Sequence, residues 1–306
     1  MNVAWHAVVI TSVLLSACSR EPGSTTLTTG SLVVECDESV YPVMRQEAEA
    51  FLAQYPGSAI TVRSVQAREA TANFVNDSVR VIVSARAFNA EEVSALKAGK
   101  VQYDEYLVAR SAVSVVLHKD NPVQQIRLGE LDSLFGGVTT RWSGIRGRPL
   151  VELFVGGADC SINEIFRAGA MGGKPLALSA TPVASSGDLV GRVRDARGGI
   201  GIVSPAWLKG YETELNVPAV GSPTWQPDTL GRPGQYYTPA QAYVFLGYYP
   251  IVAPVYIYSR EIERNISLGF ISFVSSAPGQ KIIQEGALVP AKMPVRIVQL
   301  TSGQVK

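Results

Sequence analysis

Three short segments hold residues whose types and spacing suit them to grip a small anion. Cys36-Asp37-Glu38-Ser39 follows the apolar run Ser31 to Glu35, Ser84-Ala85-Arg86 closes the run that begins at Val79, and Gly157-Ala158-Asp159-Cys160-Ser161 follows Leu150 to Val155. Each sits where a strand gives way to a helix. The first turn of a helix carries unpaired backbone N–H groups and the positive end of the helix dipole, so a hydroxyl or guanidinium beside it completes an anion site. The same residue types also cap helices with no ligand involved, the common use of Ser, Asp and Asn. Ser161, with Glu164 three residues on, reads as such a capping box, as does Asn89 with Glu92.

Other chemistry has little to stand on. There is no His-Glu-x-x-His, Cys-x-x-Cys, P-loop or G-x-S-x-G signature. Beyond His6 the chain has one histidine, His118, placed before the turn signal Asn121-Pro122. A nucleophilic pair of Cys160 and His118 has no support beyond the residue types. The chain is therefore expected to be no enzyme and to need no cofactor or metal. Charge is nearly balanced, 27 Lys plus Arg against 26 Asp plus Glu, with no like-charge run. That excludes a basic stripe for nucleic acid.

The elements that must position these turns read as βα units. Ser31–Glu35, Ala59–Val65 and Val79–Val83 are strand-like, and Met44, Ala48, Phe51, Leu52 and Tyr55 recur at helical spacing. Continuous apolar strands separated by helices indicate a largely parallel sheet covered on both faces, with ligands at the carboxyl ends of the strands. Tyr106 to His118 reads as one long extended stretch, and Tyr249 to Tyr258 as another. Between them lie further units: helices at Leu128–Phe135, from Ser161 through Phe166 and from Ser185-Ser186 through Val193, with strands at Leu150–Val155 and Gly198–Val203. Residues 217–238 read as irregular loop, Leu268–Ile283 as a helix and Val295–Leu300 as a last strand. The two extended stretches suggest a central lobe, residues 113–250, inserted into a lobe built from residues 31–112 and 251–306.

At the N-terminus, Ala7 to Ala17 is an apolar run without charge. It falls short of the roughly 20 residues a membrane helix needs and reads as part of a signal peptide, residues 1–17. Leu15-Ser16-Ala17-Cys18 resembles a bacterial lipoprotein box, which implies cleavage before Cys18 and lipidation of its thiol. Residues 18–30, rich in Ser, Thr and Gly, read as the lipidated tether. Cys36 and Cys160 are left, as free thiols or as a disulfide.

Along nearly all of the remaining chain stand, in order, Asp37-Glu38-Ser39 with Pro42, Phe51 and Tyr55-Pro56, Ser84-Ala85-Arg86 with Glu91-Glu92, Asp120-Asn121-Pro122-Val123, Leu131 to Phe135 with Gly136 and Trp142, Gly199-Ile200-Gly201, Tyr249-Pro250, Tyr256-Ile257-Tyr258, and Pro278-Gly279-Gln280 with Val289-Pro290. This order resembles the periplasmic phosphate-binding proteins of ABC importers, in particular the divergent PstS-like lipoproteins of the Bacteroidetes type. The resemblance implies an α/β, two-lobed class II periplasmic-binding-protein fold closing on a dehydrated oxyanion. It matches Ser39 to the hydroxyl donor after the first strand and puts Ser161 in the donor turn of the second lobe, with Cys160 and Ile162 replacing flanking hydroxyl residues. The family's anion-pairing arginine falls where this chain has Gly156 and Gly157. Arg86 or Arg68 would then supply the positive charge, while Asp159 adds a negative one. The resemblance also puts Cys36 and Cys160 at the mouths of opposite lobes, where a bridge would lock the cleft.

The expected protein is thus a monomeric solute-binding lipoprotein of the periplasm or cell envelope. It is held to the membrane by a lipid anchor on Cys18 and delivers phosphate or a related oxyanion to an ABC transporter permease. Glu38, Ser39, Arg86, Asp159, Cys160 and Ser161 are the candidate binding residues. The alternative is the same fold without solute transport, serving as an envelope sensor or partner-binding protein.

Overall fold

A computed structural model describes residues 25–221, 235–261 and 263–292. The segment expected to be a signal peptide (1–17), the expected lipidation site Cys18 and the strand expected at Val295–Leu300 lie outside the described residues.

The chain runs through β1 (Gly30–Asp37), a 3-10 turn (Glu38–Val40), α1 (Tyr41–Gln54), β2 (Ser58–Val65), α2 (Ala67–Val75), β3 (Val81–Ser84), α3 (Ala90–Ala98) and β4 (Asp104–Ala112). It then enters β5 (Ser114–His118), β6 (Gln125–Arg127), α4 (Leu128–Phe135), β7 (Glu152–Val155), α5 (Ser161–Ala170), β8 (Thr181–Pro182), α6 (Ser186–Asp195), β9 (Gly199–Val203), a 3-10 turn (Pro205–Trp207), β10 (Leu215–Asn216), β11 (Ala219–Gly221), β12 (Tyr236–Tyr237) and α7 (Gln241–Phe245). It returns through β13 (Val252–Ser259), α8 (Ile266–Val274), α9 (Ala277–Glu285) and β14 (Val289–Pro290).

Two sheets dominate. The first has the order β14-β4-β13-β3-β1-β2, its β1, β2 and β3 parallel and β13 antiparallel to both β3 and β4. The second has the order β10-β5-β9-β7-β8, with β7 parallel to β8 and β9. A small sheet, β12-β11-β6, lies beside it. Strands covered on both faces are almost wholly apolar: all of β3, apart from Ser84 at its end, and all of β9 are apolar residues, and every residue of both is buried. On β9 the glycines are a packing requirement, since a Cβ at Gly201 would lie 2.6 Å from Leu189 of α6. Each sheet has its own core. Phe51 of α1, with no exposed surface, sits edge-on to Phe270 and Phe273 of α8 in the first. Phe135 and Phe166 pair α4 with α5 in the second.

Three expectations are corrected, and one open alternative is decided. The stretch from Tyr106 to His118 is two strands, because at Val113 the backbone N–H leaves its sheet to bond Ile251 O at 2.9 Å, and the chain passes from the first sheet to the second. Next to it the Tyr249 hydroxyl donates to Val113 O at 2.8 Å, so both connections between the lobes run side by side. The helix read over Leu268–Ile283 breaks into α8 and α9, with Pro278 in the first turn of α9, where its missing N–H is harmless. The loop read over 217–238 contains β11 and β12. Cys36 and Cys160 are both buried free thiols, not a disulfide.

Candidate functional site

The turns singled out above gather where the two lobes meet. At the end of β1, Asp37 caps the following turn: its Oδ1 accepts from Ser39 N at 3.0 Å and from Ser39 Oγ at 2.8 Å. Its Oδ2 accepts from Ala85 N at 3.1 Å, tying the β1 turn to the end of β3. Asp37 and Ser39 are almost wholly buried. Across the joint, Ser161 opens α5 with no exposure, and its Oγ lies 3.4 Å from Ser39 Oγ. Hydroxyl donors from opposite lobes thus meet at two strand-to-helix turns.

Ser161 is not a helix cap. Cys160 holds that position and makes no side-chain capping hydrogen bond. Burial, with the charge of Asp37 next, pushes its thiol up to about 12, although the N–H groups of Ile162 and Asn163 pull the other way. Cys36 is raised too, by burial and then by Asp37 and Glu38. Neither sulfur is a ready thiolate. Asn163 Nδ2 donates to Gly156 O at 2.8 Å and Gly157 O at 3.0 Å, which ties down the loop ahead of α5. There a Cβ on Gly156 would lie 2.6 Å from Cys160 Sγ, so the thiol stands where a side chain at 156 would begin.

Glu38 reaches the other lobe. Its Oε1 accepts from Ser186 N and its Oε2 from Ser186 Oγ, both at 2.8 Å, at the start of α6. Trp207 Nε1 donates to Glu38 O at 3.0 Å. Burial raises the Glu38 carboxyl above its ordinary range, the Ser186 bonds lower it, and the charge of Asp37 raises it further.

Arg86 does not point its charge at the hydroxyls. Its Nη1 and Nη2 each donate to Glu92 at 2.7 Å, and Nη1 also bonds Ala87 O. Its Nε lies 2.8 Å from Glu164 Oε2 of the second lobe, an ion-pair contact whose N–H direction falls short of a hydrogen bond. Burial works against the Arg86 charge, but Glu92, then Glu164 and Asp37, hold its pKa above the usual value. Glu92 is lowered: burial opposes this, and Arg86 and the Asn89 backbone outweigh it. Arg68 bonds Glu164 Oε1 at 3.1 Å and lies 3.7 Å from Asp159 Oδ1. Asp159 is exposed at the rim, paired with Arg68. Both candidate arginines are matched by carboxylates, and Asp37 and Glu38 add buried negative charge.

The structure therefore brings Ser39, Ser161, Cys160 and Glu38 to the joint, and keeps Arg86 and Asp159 in an ion-pair chain beside it. His118 is elsewhere, its Nδ1 accepting from Asp120 N. Sequence reasoning missed Glu164 as a bridge, because its capping-box spacing with Ser161 pointed to a local role. It also missed Trp207 and the pairing of Ser186 with Glu38, which are brought together only by the docking of the lobes.

Two α/β lobes joined by paired crossings, with polar strand-to-helix turns facing each other, define a periplasmic-binding-protein architecture. The chain belongs to the PBP superfamily: residues 22–278 match the description of a PBP superfamily domain. Among individual proteins it is similar to Protein SphX of Synechococcus elongatus, 26% identical over 263 residues, or 82% of this chain and 75% of that one. Similar solved structures include a Clostridium perfringens protein, assigned as a phosphate ABC transporter substrate-binding protein and holding bound phosphate. It has a TM-score of 0.72 at 21% identity, covering 86% of this chain and 100% of that one. An ABC-type phosphate transport receptor from Vibrio cholerae has a TM-score of 0.64 at 17% identity, covering 86% and 100%.

Proposed function

We propose that the protein is an extracytoplasmic solute-binding lipoprotein that captures phosphate or a related small oxyanion for an ABC importer. The observation that carries this is the meeting of Ser39 and Ser161 across the lobes, each at a strand-to-helix turn. The solved phosphate-binding neighbours support it. Parting the lobes would expose both hydroxyls and the start of α5 to one ligand. With Asp37 and Glu38 beside them, and with Arg86 and Arg68 already paired with carboxylates, the ligand is best a protonated oxyanion, whose O–H can donate to a carboxylate. Binding is weaker than at a site with its own arginine, by about ten- to a hundredfold for one charge-assisted hydrogen bond.

A thermal-shift panel of phosphate, sulfate, phosphonates and chloride at equal ionic strength tests this on detergent-solubilised protein. A ligand bound only by the folded state stabilises it by about 2.7 kcal/mol at a hundredfold excess over Kd. Phosphate should raise Tm above the chloride control, and Ser39→Ala and Ser161→Ala should each abolish the shift. No shift with any oxyanion would overturn the reading. Anchoring is read from Cys18, since no helix among the described residues is long and apolar enough to cross a membrane. Cys18→Ser should move the protein from the detergent to the aqueous phase, and unchanged partitioning would refute the anchor. One observation favours a second reading, an envelope sensor or partner-binding protein of the same fold: the arginines are already spent on Glu92, Glu164 and Asp159.

A further inference from the structure

A lobe-to-lobe contact made by a carboxylate on a helix start is the same chemistry by which a bound oxyanion would draw the lobes together. In this chain the carboxylate is covalently part of one lobe. Glu38 lies in the turn after β1, is 7% exposed, and gives both oxygens to the first residue of α6 in the other lobe. Its carbonyl oxygen takes the Trp207 indole from the same lobe, and a Cβ on Gly187, next to Ser186, would lie 3.3 Å from the Trp207 ring. One residue of the first lobe is therefore gripped by two elements of the second. Three more polar joints flank it: Ser39 with Ser161, Arg86 with Glu164, and Arg68 with Glu164 and Asp159.

We propose that Glu38 is a built-in anion that latches the two lobes shut in the absence of solute, its carboxylate occupying the start of α6. Desolvating a carboxylate is costly unless hydrogen bonds replace its water, and the Ser186 N–H and O–H supply two charge-assisted ones. Opening the lobes breaks both at once, along with the Trp207 bond. The latch is independent of whether any oxyanion binds, so it stands or falls separately from the function proposed above.

Amide hydrogen exchange on the solubilised full chain, dialysed free of phosphate and sulfate, tests it. Two variants remove the latch from opposite sides. Glu38→Ala deletes the carboxylate. Ser186→Pro deletes both donors, at a position suited to proline: it opens the helix, and Ser185 before it has φ −153° and ψ 162°, in the extended region that a residue before proline prefers. Each variant should speed exchange by at least about ten- to a hundredfold, the factor of a single charge-assisted bond, in peptides covering 37–43, 159–166 and 204–208. Peptides from β5 and β9 should stay as protected as in the parent. The segment 159–166 is decisive, because it touches neither Glu38 nor Ser186 through any of these bonds and responds only if the lobes part. If either variant folds, with β5 and β9 protected, and leaves 159–166 at the parent rate, the latch is refuted. Should Glu38→Ala lose protection everywhere, Ser186→Pro alone decides by the same criterion.

Discussion

Glu47 offers a sharp test of how the first lobe is built. It lies on α1 with no exposed surface, among Val43, Met44, Ala48 and Phe51, and neither carboxyl oxygen has a hydrogen-bond partner among the described residues. Burial alone lifts its pKa from the ordinary 4.5 to about 9. The folded protein therefore keeps this proton over a range in which the unfolded chain has released it. The native state binds more protons, so stability falls as pH rises from about 4.5 to about 9, by up to about 1.4 kcal/mol per unit. Below that window both states are protonated and the penalty vanishes. At pH 7 it amounts to about 3 kcal/mol. Glu47→Gln removes the ionisation and leaves a neutral group of the same shape, which like the protonated acid lacks partners. Urea unfolding at pH 5 and pH 7 should find parent and variant within about 1 kcal/mol at the lower pH and the variant about 3 kcal/mol more stable at the higher. Parallel stability curves between the two values would show that Glu47 has an unseen partner or stays ionised, and would refute the reasoning.

The loop before α5 separates two adjacent glycines. Gly156→Ala places a Cβ 2.6 Å from Cys160 Sγ and should cost about 1–3 kcal/mol, partly recovered by adding Cys160→Ala, whereas Gly157→Ala meets nothing within 4 Å and should change stability by less than about 0.5 kcal/mol; chemical denaturation of the three variants checks this. Thiol titration of the Cys18→Ser form should find no rapidly reacting thiol in the folded protein at pH 7, because burial raises both remaining thiols, and two after unfolding. A fast native thiol would mean that the cleft opens readily.

What the sequence disclosed was mainly local. The βα units from β1 to α3 follow from apolar runs and helical spacing, and the Asn89 and Glu92 capping box is present as read, because both partners lie within one turn. The pairing of Ser39 with Ser161 was approached through turn chemistry, each turn being recognisable without the other. Contacts between the lobes were not legible. Glu164 carries a good capping-box spacing, yet its carboxylate is drawn to Arg86 and Arg68, whose full charges outcompete a backbone N–H. Arg86 looked free because nothing local announced that Glu92 would both cap α3 and hold the guanidinium. Val113 looked like mid-strand because only the return of the chain at Ile251 diverts its N–H.

That return has a mechanical consequence. The chain leaves the first sheet after β4 and rejoins it at β13, the two crossings clasped at Val113, Tyr249 and Ile251, while β1 and β14 both belong to that first sheet. An attachment ahead of β1 would fix the first lobe as the stator, and every swing of the second would pivot about the clasp as the rotor. A transporter touching both lobes would then read the state of the cleft as the angle of one moving face against a stationary one.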